Sequence, residues 1–270
     1  MRFLVRRRRV ATAAFLFVTA ASAAAYSAFE LSLRDTSTGT GLLLLALVVA
    51  LVALNVRKKV PLFPFVTSAT WLQVHIYLGL FAVVCFGMHV GFRVPNGSLE
   101  VTLAVLFWTV AASGVVGLFL IRTIPKRLRT RGEPIIFERH PIVLRRLRRE
   151  LATRATATLD SPSIAEFHAR RLVDFFAGPR SLWWHLVESN HPQTALLDEL
   201  EALGRYLNDE ENAVRLEIAD LIRAKSDLDY HYAHQATLKY WLFVHIPVSY
   251  SLLIVGILHG LVAYGWGGGP

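Results

Sequence analysis

Long apolar stretches alternate with one extended polar segment along this chain. A helix needs about 20 apolar residues to cross the hydrocarbon core of a membrane. Five stretches reach or approach that length, and the second is the shortest: residues 10–29, 41–56, 69–92, 101–121 and 238–264. The pattern therefore predicts an all-α membrane protein, a bundle of about five transmembrane helices.

The polar segment, residues 122–237, separates the fourth stretch from the fifth. It has helical signals, because Ser163 and Glu166 match a capping box and apolar residues recur at helical spacing in 195–206 and 210–229. The last of these patterns is compatible with one unbroken helix that enters the fifth span. We predict a helical insertion between spans four and five. The chain then divides into residues 1–121, 122–237 and 238–270.

Composition agrees with the membrane assignment and excludes several classes of protein. Apolar residues make up 54% and charged residues 18% of the chain, and its mean hydropathy is +0.42. Soluble proteins are nearer a quarter charged. The single cysteine, Cys85, rules out a disulfide scaffold, a cysteine-ligated iron–sulfur cluster and a c-type haem attachment motif. The glycine-rich motifs of nucleotide-binding folds are also missing from the sequence.

The distribution of positive charge predicts the orientation. The net charge is +9, and basic residues cluster at 2–9, 57–59 and 122–131, whereas the segments 30–35 and 93–100 are nearly balanced. By the positive-inside rule, the N-terminus and the insertion are cytoplasmic and the C-terminus is outside. We expect an inner-membrane protein that contacts anionic lipid and no nucleic acid. We also expect residues 10–29 to be a retained anchor rather than a cleaved signal peptide.

Four histidines lie inside the predicted spans. The third span carries His75 and His89, and the fifth carries His245 and His259. Each pair is separated by 14 positions, a net rotation of about −40° at 100° per residue, so both members share one helix face. The rise over 14 residues is about 21 Å. One histidine of each pair is therefore expected near each side of the membrane.

The depths of the four histidines also match. His75 and His245 are the seventh and eighth residues of their spans, and His89 and His259 are the twenty-first and twenty-second. Because the two helices are parallel, the members of each tier can face one another across a gap. Two facing histidines at two levels predict two six-coordinate b haems, an inner one on His75 and His245 and an outer one on His89 and His259. A converging zinc or copper site does not suit tiers about 21 Å apart, and polar packing is the remaining alternative.

Small and basic residues near the histidines fit this prediction less specifically. Gly79 and Gly256 lie about one turn from His75 and His259 and would leave room for a flat porphyrin, although close helix packing uses glycine as well. Haem propionates could pair with basic side chains, whose alternative role is to anchor the spans at the interface: Lys239, Arg93 and residues 57–59.

The histidine arrangement resembles the dihaem membrane b-type cytochromes, in which two parallel helices each supply two haem ligands at close to this spacing. The matched positions are His75 and His89 with His245 and His259, and placement on spans three and five is more similar to the ferric reductase and NADPH-oxidase membrane domain than to the quinol-oxidising family. The resemblance implies transmembrane electron transfer. Ferric reductases usually add flavin and nicotinamide domains and have a short loop where this chain has its insertion.

Transmembrane electron transfer would require an electron donor and an electron acceptor. The electron donor and acceptor would be other redox subunits, a soluble or multihaem carrier, or quinone, for which Tyr230, His234, Lys239 and Tyr240 could frame a site. The alternative functions are a haem-containing sensor or assembly factor that acts through the cytoplasmic helices, and a metal transporter. Trp183 and Trp184 are either an interfacial aromatic patch or part of the core of the insertion.

Overall fold

A computed structural model describes residues 2–31, 36–56, 67–131, 135–157 and 162–266. The basic segment 57–59 and residues 267–270 of the expected outer tail lie outside the described residues. Within the described ranges all regular structure is helical. Ten α-helices occur there: α1 (Arg2–Leu31), α2 (Ser37–Val56), α3 (Ser68–His89), α4 (Ser98–Leu128), α5 (His140–Ala157), α6 (Pro162–Phe167), α7 (Val173–Phe176), α8 (Leu182–Leu186), α9 (His191–Leu203) and α10 (Asp209–Trp266).

Four of the helices in the described part of the chain are long and apolar enough to cross a membrane. They contain the segments Arg9–Phe29, Ala69–His89, Ser98–Leu128 and Asp209–Gly265. The apolar part of α2, Ser37–Ala53, is shorter. By length and composition the protein is membrane-embedded, and a crossing by α2 stays a prediction.

Helix α10 extends without interruption over 58 residues. It includes both the 210–229 pattern and the fifth apolar stretch, so these form a single helix. The capping-box prediction at Ser163 is wrong, because α6 begins one residue earlier, at Pro162. Proline is favoured in the first turn of a helix, where its missing N–H costs nothing.

The chain forms two compact units. One consists of Met1–Leu118 together with Leu242–Pro270, and the other consists of Phe119–Trp241. The residues predicted as an insertion, 122–237, all belong to the second unit. The four span histidines all belong to the first.

The core of the first unit is formed by side chains from α2, α3, α4 and the C-terminal part of α10. Its buried members are Leu47, Val48, Ala82, Cys85, Phe86, Phe107 and Leu252. Phe86 and Phe107 stack with ring centroids 4.3 Å apart. This core fixes α3 against the helices on either side of it.

Helix α3 ends at His89 and not at residue 92, where the apolar stretch ends. Gly91 and Phe92 both have left-handed backbone angles, φ 58° and 55°. The N–H of Phe92 donates to the carbonyl of Gly87 at 3.0 Å, and the N–H of Gly91 donates to Met88 at 3.2 Å. This is the pattern of a glycine-terminated helix end. It places His89 in the last turn.

The second unit has its own core, around which α5, α6, α9 and the first part of α10 pack. Buried members include Leu151, Ile164, Leu172, Leu200, Ile218 and Ile222. A charged pair is also buried there, because Lys225 is 0% exposed and bonds the carboxylate of Asp229, which is 1% exposed. Lys225 Nζ also donates to the carbonyl of Gly178 at 2.9 Å. The backbone N–H of Arg180 donates to Asp229 at 3.1 Å.

Candidate functional site

All four span histidines are half-buried side chains within the first unit. Helix α3 carries His75 and His89, and α10 carries His245 and His259. The structure brings the two outer histidines, His89 and His259, close together, as expected for parallel helices.

The outer pair is formed by His89 and His259. Their ring centroids lie 6.3 Å apart, with the ring planes at 78°. Metal–imidazole bonds are about 2.0–2.1 Å long, so two imidazoles on opposite sides of one metal ion have centroids about 6 Å apart. The spacing would therefore allow both rings to ligate one metal ion between them. It is too long for direct hydrogen bonding between the two rings.

The outer histidine of α3 is oriented by helix α2. His89 Nδ1 lies 3.1 Å from the backbone carbonyl of Ser37 and 3.5 Å from Thr40 Oγ1. A carbonyl only accepts, so Nδ1 carries the proton and donates to Ser37. The lone pair of this imidazole is then on Nε2. Metal-bound histidines are oriented in the same way, by a second partner on the other ring nitrogen.

The inner pair consists of His75 on α3 and His245 on α10. His245 Nδ1 lies 2.6 Å from Ser113 Oγ on α4. The Ser113 hydroxyl also donates to the carbonyl of Val110 at 2.9 Å. If the one proton of this hydroxyl goes to Val110, the oxygen accepts from His245 Nδ1–H and the lone pair of this imidazole is on Nε2.

Glycines allow the close approach of the neighbouring helices to these rings. A Cβ on Gly41 would lie 2.8 Å from His89 Cε1, closer than such contacts permit. A Cβ on Gly114 would lie 4.0 Å from His245 Cε1, an ordinary contact. These glycines and Ser113 are not among the residues that the sequence pattern indicated. A serine–glycine pair at 113–114, within an apolar span, is the signal that could have drawn attention to α4.

The two glycines that the sequence did single out have different surroundings. A Cβ on Gly79 would meet no atom within 4 Å, so space is open beside that face of α3. A Cβ on Gly256 would lie 3.8 Å from Leu45 Cδ1. Gly256 therefore adjoins α2, a neighbourhood that fits the alternative role in helix packing.

An apolar layer lies between the two histidine levels. Along α3 it includes Ala82 and Cys85, 2% and 1% exposed, and along α10 it includes Leu252, 7% exposed. Ser249, on the same face of α10, is satisfied by its own helix, because its hydroxyl donates to the carbonyl of His245 at 2.7 Å. The environment between the levels is thus almost free of polar groups.

The structure describes two of the basic side chains expected near haem propionates, Lys239 and Arg93. Lys239 pairs with Glu138 at 2.6 Å and lies over the ring of Phe137. Hydrogen bonding to Lys239 lowers the pKa of Glu138. Arg93 is exposed in the segment that follows α3.

The residues considered for a quinone head group do not share one environment. Tyr230 and His234 are buried, with ring centroids 4.2 Å apart. His234 Nδ1 donates to the carbonyl of Tyr230 at 2.9 Å. Tyr240 is 68% exposed, and Lys239 is paired with Glu138.

No group of three or more His, Cys, Asp or Glu side chains suited to a metal ion occurs among the described residues. Axial ligation of a haem needs only two protein side chains, because the porphyrin provides the other four nitrogens. Each histidine pair provides two such side chains. In comparisons with models of protein families, with curated proteins and with solved structures, the chain matches none.

Proposed function

We propose that the chain is a dihaem b-type membrane cytochrome. The observation that carries this proposal is the outer pair, His89 and His259, whose rings are spaced for axial ligation of one iron while Nδ1 of His89 is held by Ser37. The inner pair, His75 and His245, would form a second site of the same kind. More specifically, the protein would be the membrane subunit of a redox system that moves electrons across the bilayer.

The side chains of this protein would bind and orient two b haems. His75 and His245 would hold the inner iron, and His89 and His259 would hold the outer one. The hydrogen bonds of His89 with the Ser37 carbonyl and of His245 with the Ser113 hydroxyl would orient two of these ligands. Bound haem supplies the one-electron chemistry. The apolar layer around Ala82 and Leu252 excludes water between the two levels.

The orientation of the protein is part of the proposal. Basic residues at 2–9, 57–59 and 122–131 favour a cytoplasmic N-terminus and a cytoplasmic second unit. His75 and His245 would then lie near the cytoplasmic side, and His89 and His259 near the outer side. The membrane would be an energy-transducing inner membrane.

The electron donor and acceptor would be other redox subunits, a soluble or multihaem carrier, or quinone. A cleft of about 630 Å³ between α1 and α3 supports quinone as one candidate. Its walls are mostly apolar, and its polar groups include Gln73 and the hydroxyl of Tyr77, which lies 2.8 Å from Thr12 Oγ1. Such a lining, with few polar groups, suits an apolar ligand with a polar head.

The first test is the haem content of the detergent-purified protein. We expect a reduced-minus-oxidised spectrum of b type and two haems per chain by the pyridine haemochrome assay. Each of His89→Ala and His259→Ala is expected to retain one haem. Replacement of the exposed His191 by alanine is the matched control and should retain both. A chain that folds stably without haem contradicts the proposal.

A second candidate is a haem-containing sensor or assembly factor. It is favoured by the second unit, which has its own apolar core and a buried charged pair, Lys225 and Asp229. Replacement of the insertion by a short linker separates the two functions. If the second unit is not needed for electron transfer, the variant should retain most of its electron-transfer rate. If the second unit transmits the signal of a sensor, the variant should lose signalling.

A further inference from the structure

The short helix α8 presents large apolar side chains outward. Trp183 is 73% exposed, Trp184 is 47% exposed and Val187, the next residue after the helix, is 54% exposed. His185 faces the interior instead, at 5% exposed, and its ring lies 6.1 Å from that of Tyr230. The two tryptophans thus form a surface patch, and they are not part of the core of the second unit.

The conformation of this segment is held in an unusual way at both ends. Ser181 and Glu188 flank it, and both have left-handed backbone angles, φ 58° and 59°. Residues other than glycine rarely adopt this conformation, because it brings their Cβ too close to the following carbonyl oxygen. Surrounding contacts must therefore fix the segment in place.

Those contacts tie the segment to the C-terminal end of α4. Arg127 Nη1 donates to the carbonyl of Leu186 at 3.2 Å, and Arg127 Nε pairs with Glu188 at 2.9 Å. The hydroxyl of Tyr230 on α10 donates to the same carboxylate at 3.3 Å. Glu188 is thereby held by two helices, each of which contains an apolar stretch predicted to cross the membrane.

The rise of an α-helix places this attachment close to the membrane surface. Arg127 lies six residues beyond residue 121, where the fourth apolar stretch ends, which corresponds to about 9 Å. Tyr230 lies eight residues before residue 238, where the fifth stretch begins, which corresponds to about 12 Å. Each headgroup layer is roughly 5–8 Å thick. Side chains that extend from this attachment can reach that layer.

We propose that residues 182–187 form a membrane-surface anchor. Trp183, Trp184 and Val187 insert into the interface of the leaflet at the C-terminal end of α4, where amphipathic tryptophan side chains are most favourable. The exposed basic side chains Arg122, Lys126 and Arg129, on the last turns of α4 and just after it, face the headgroups of anionic lipids there. The proposal depends on membrane insertion and not on haem.

Lipid contact is tested on the full-length protein in vesicles of phosphatidylcholine and phosphatidylglycerol. A fluorophore on Val187→Cys is compared with the same fluorophore on Tyr206→Cys. Tyr206 is 78% exposed in the same unit. It precedes the first residue of α10, Asp209, which lies 29 positions before residue 238, about 44 Å along the helix. Wild-type protein is the labelling blank, because its only thiol, Cys85, is 1% exposed.

Spin-labelled lipids should quench the fluorophore at position 187 several-fold more strongly than at position 206, and a shallow label should quench more than a deep one. Equal, weak quenching at both positions overturns the proposal and leaves the patch as a surface for a protein partner. Stronger quenching by the deep label also overturns it, because the segment would then lie within the hydrocarbon core. In the double variant Trp183→Phe/Trp184→Phe, which retains an aromatic surface, spin-labelled lipids should quench the fluorophore at position 187 as strongly as in the protein with both tryptophans.

Discussion

A single hydroxyl group on α4 holds the ring of His245. Ser113 Oγ lies 2.6 Å from His245 Nδ1 and 2.9 Å from the carbonyl of Val110. The Ser37 carbonyl on α2 accepts from Nδ1 of His89 at 3.1 Å. At both levels a neighbouring helix thus contacts one histidine at its Nδ1.

Removal of that hydroxyl should weaken the inner site. Outer-shell partners of metal-bound histidines contribute about 10–100-fold in metal affinity. Ser113→Ala is therefore expected to lower the haem affinity of the inner site by that factor, as measured by haem retention in apo-protein competition. Thr109→Ala is the matched control, because Thr109 lies one turn away on α4 and bonds only its own helix at Val105 O. Equal haem retention in the two variants would argue against a positioning role for Ser113.

Gly41 sets the distance between α2 and the outer histidine of α3. An alanine there would place its Cβ 2.8 Å from His89 Cε1 and 3.2 Å from Nδ1, so the ring would have to move away from Ser37. We expect Gly41→Ala to reduce occupancy of the outer haem and to alter its absorbance band.

The control for this change is Gly39→Ala on the same helix. A Cβ at Gly39 meets no atom within 4 Å, and alanine favours helix by about 1 kcal/mol over glycine. This variant should keep both haems and be at least as stable as the wild type. If the two variants have the same spectrum, Gly41 has no part in placing His89.

At the scale of the elements, the first part of α10 depends on a buried ion pair. Lys225→Met would leave the Asp229 carboxylate buried without its cation, and loss of one partner of a buried pair typically costs about 3–5 kcal/mol. We expect a correspondingly large fall in the thermal stability of the detergent-solubilised protein. The buried lysine and aspartate are four residues apart, so the same helix presents both.

A pair on the exposed side of the same helix is the matched control. Arg223 and Asp220 lie 2.7 Å apart with half or more of each side chain exposed. Arg223→Met should therefore cost about 0–1 kcal/mol. Similar losses in the two methionine variants would mean that burial of Lys225 is not decisive for the stability of α10.

Helical periodicity accounts for what the sequence predicted well. The spacing of His75 to His89 and of His245 to His259 depends only on the geometry within one helix, so the shared faces could be predicted before any tertiary structure. The same periodicity was compatible with a continuous α10, which the structure shows.

Features that depend on neighbouring helices could not be predicted in this way. Ser113 and Gly41 contact histidines because α4 and α2 pack against the helices that carry them. The local sequence does not indicate which helices are neighbours. The end of α3 at His89 also depends on a backbone conformation, at Gly91 and Phe92, that hydropathy does not reveal.

At the scale of the whole molecule, stability should depend on pH through the second unit. Burial lowers the pKa of His185 below its ordinary value of about 6.5. The folded protein therefore keeps this side chain neutral, whereas the unfolded chain binds a proton below about pH 6.5. Stability contributed by the neutral side chain is thus present above that pH and is lost as the pH falls toward the lowered pKa.

The thermal midpoint should accordingly decrease between pH 7.5 and pH 5.5. His185→Gln should reduce this decrease, because the variant has no group that takes up a proton at this position. His191→Gln, at an exposed position of the same unit, should retain the wild-type pH dependence. If the His185 variant keeps the full dependence on pH, the acid sensitivity arises elsewhere in the protein.

Transfer of electrons across a sealed membrane tests the central claim most directly. The protein is reconstituted into vesicles that contain trapped ferricyanide, and dithionite is added outside. We predict rapid reduction of the trapped ferricyanide by the wild-type protein, and a loss of most of this rate in His259→Ala, which disrupts only the outer ligand pair. Slow transfer by wild-type protein that contains two haems, or an unchanged rate in the variant, would contradict the account.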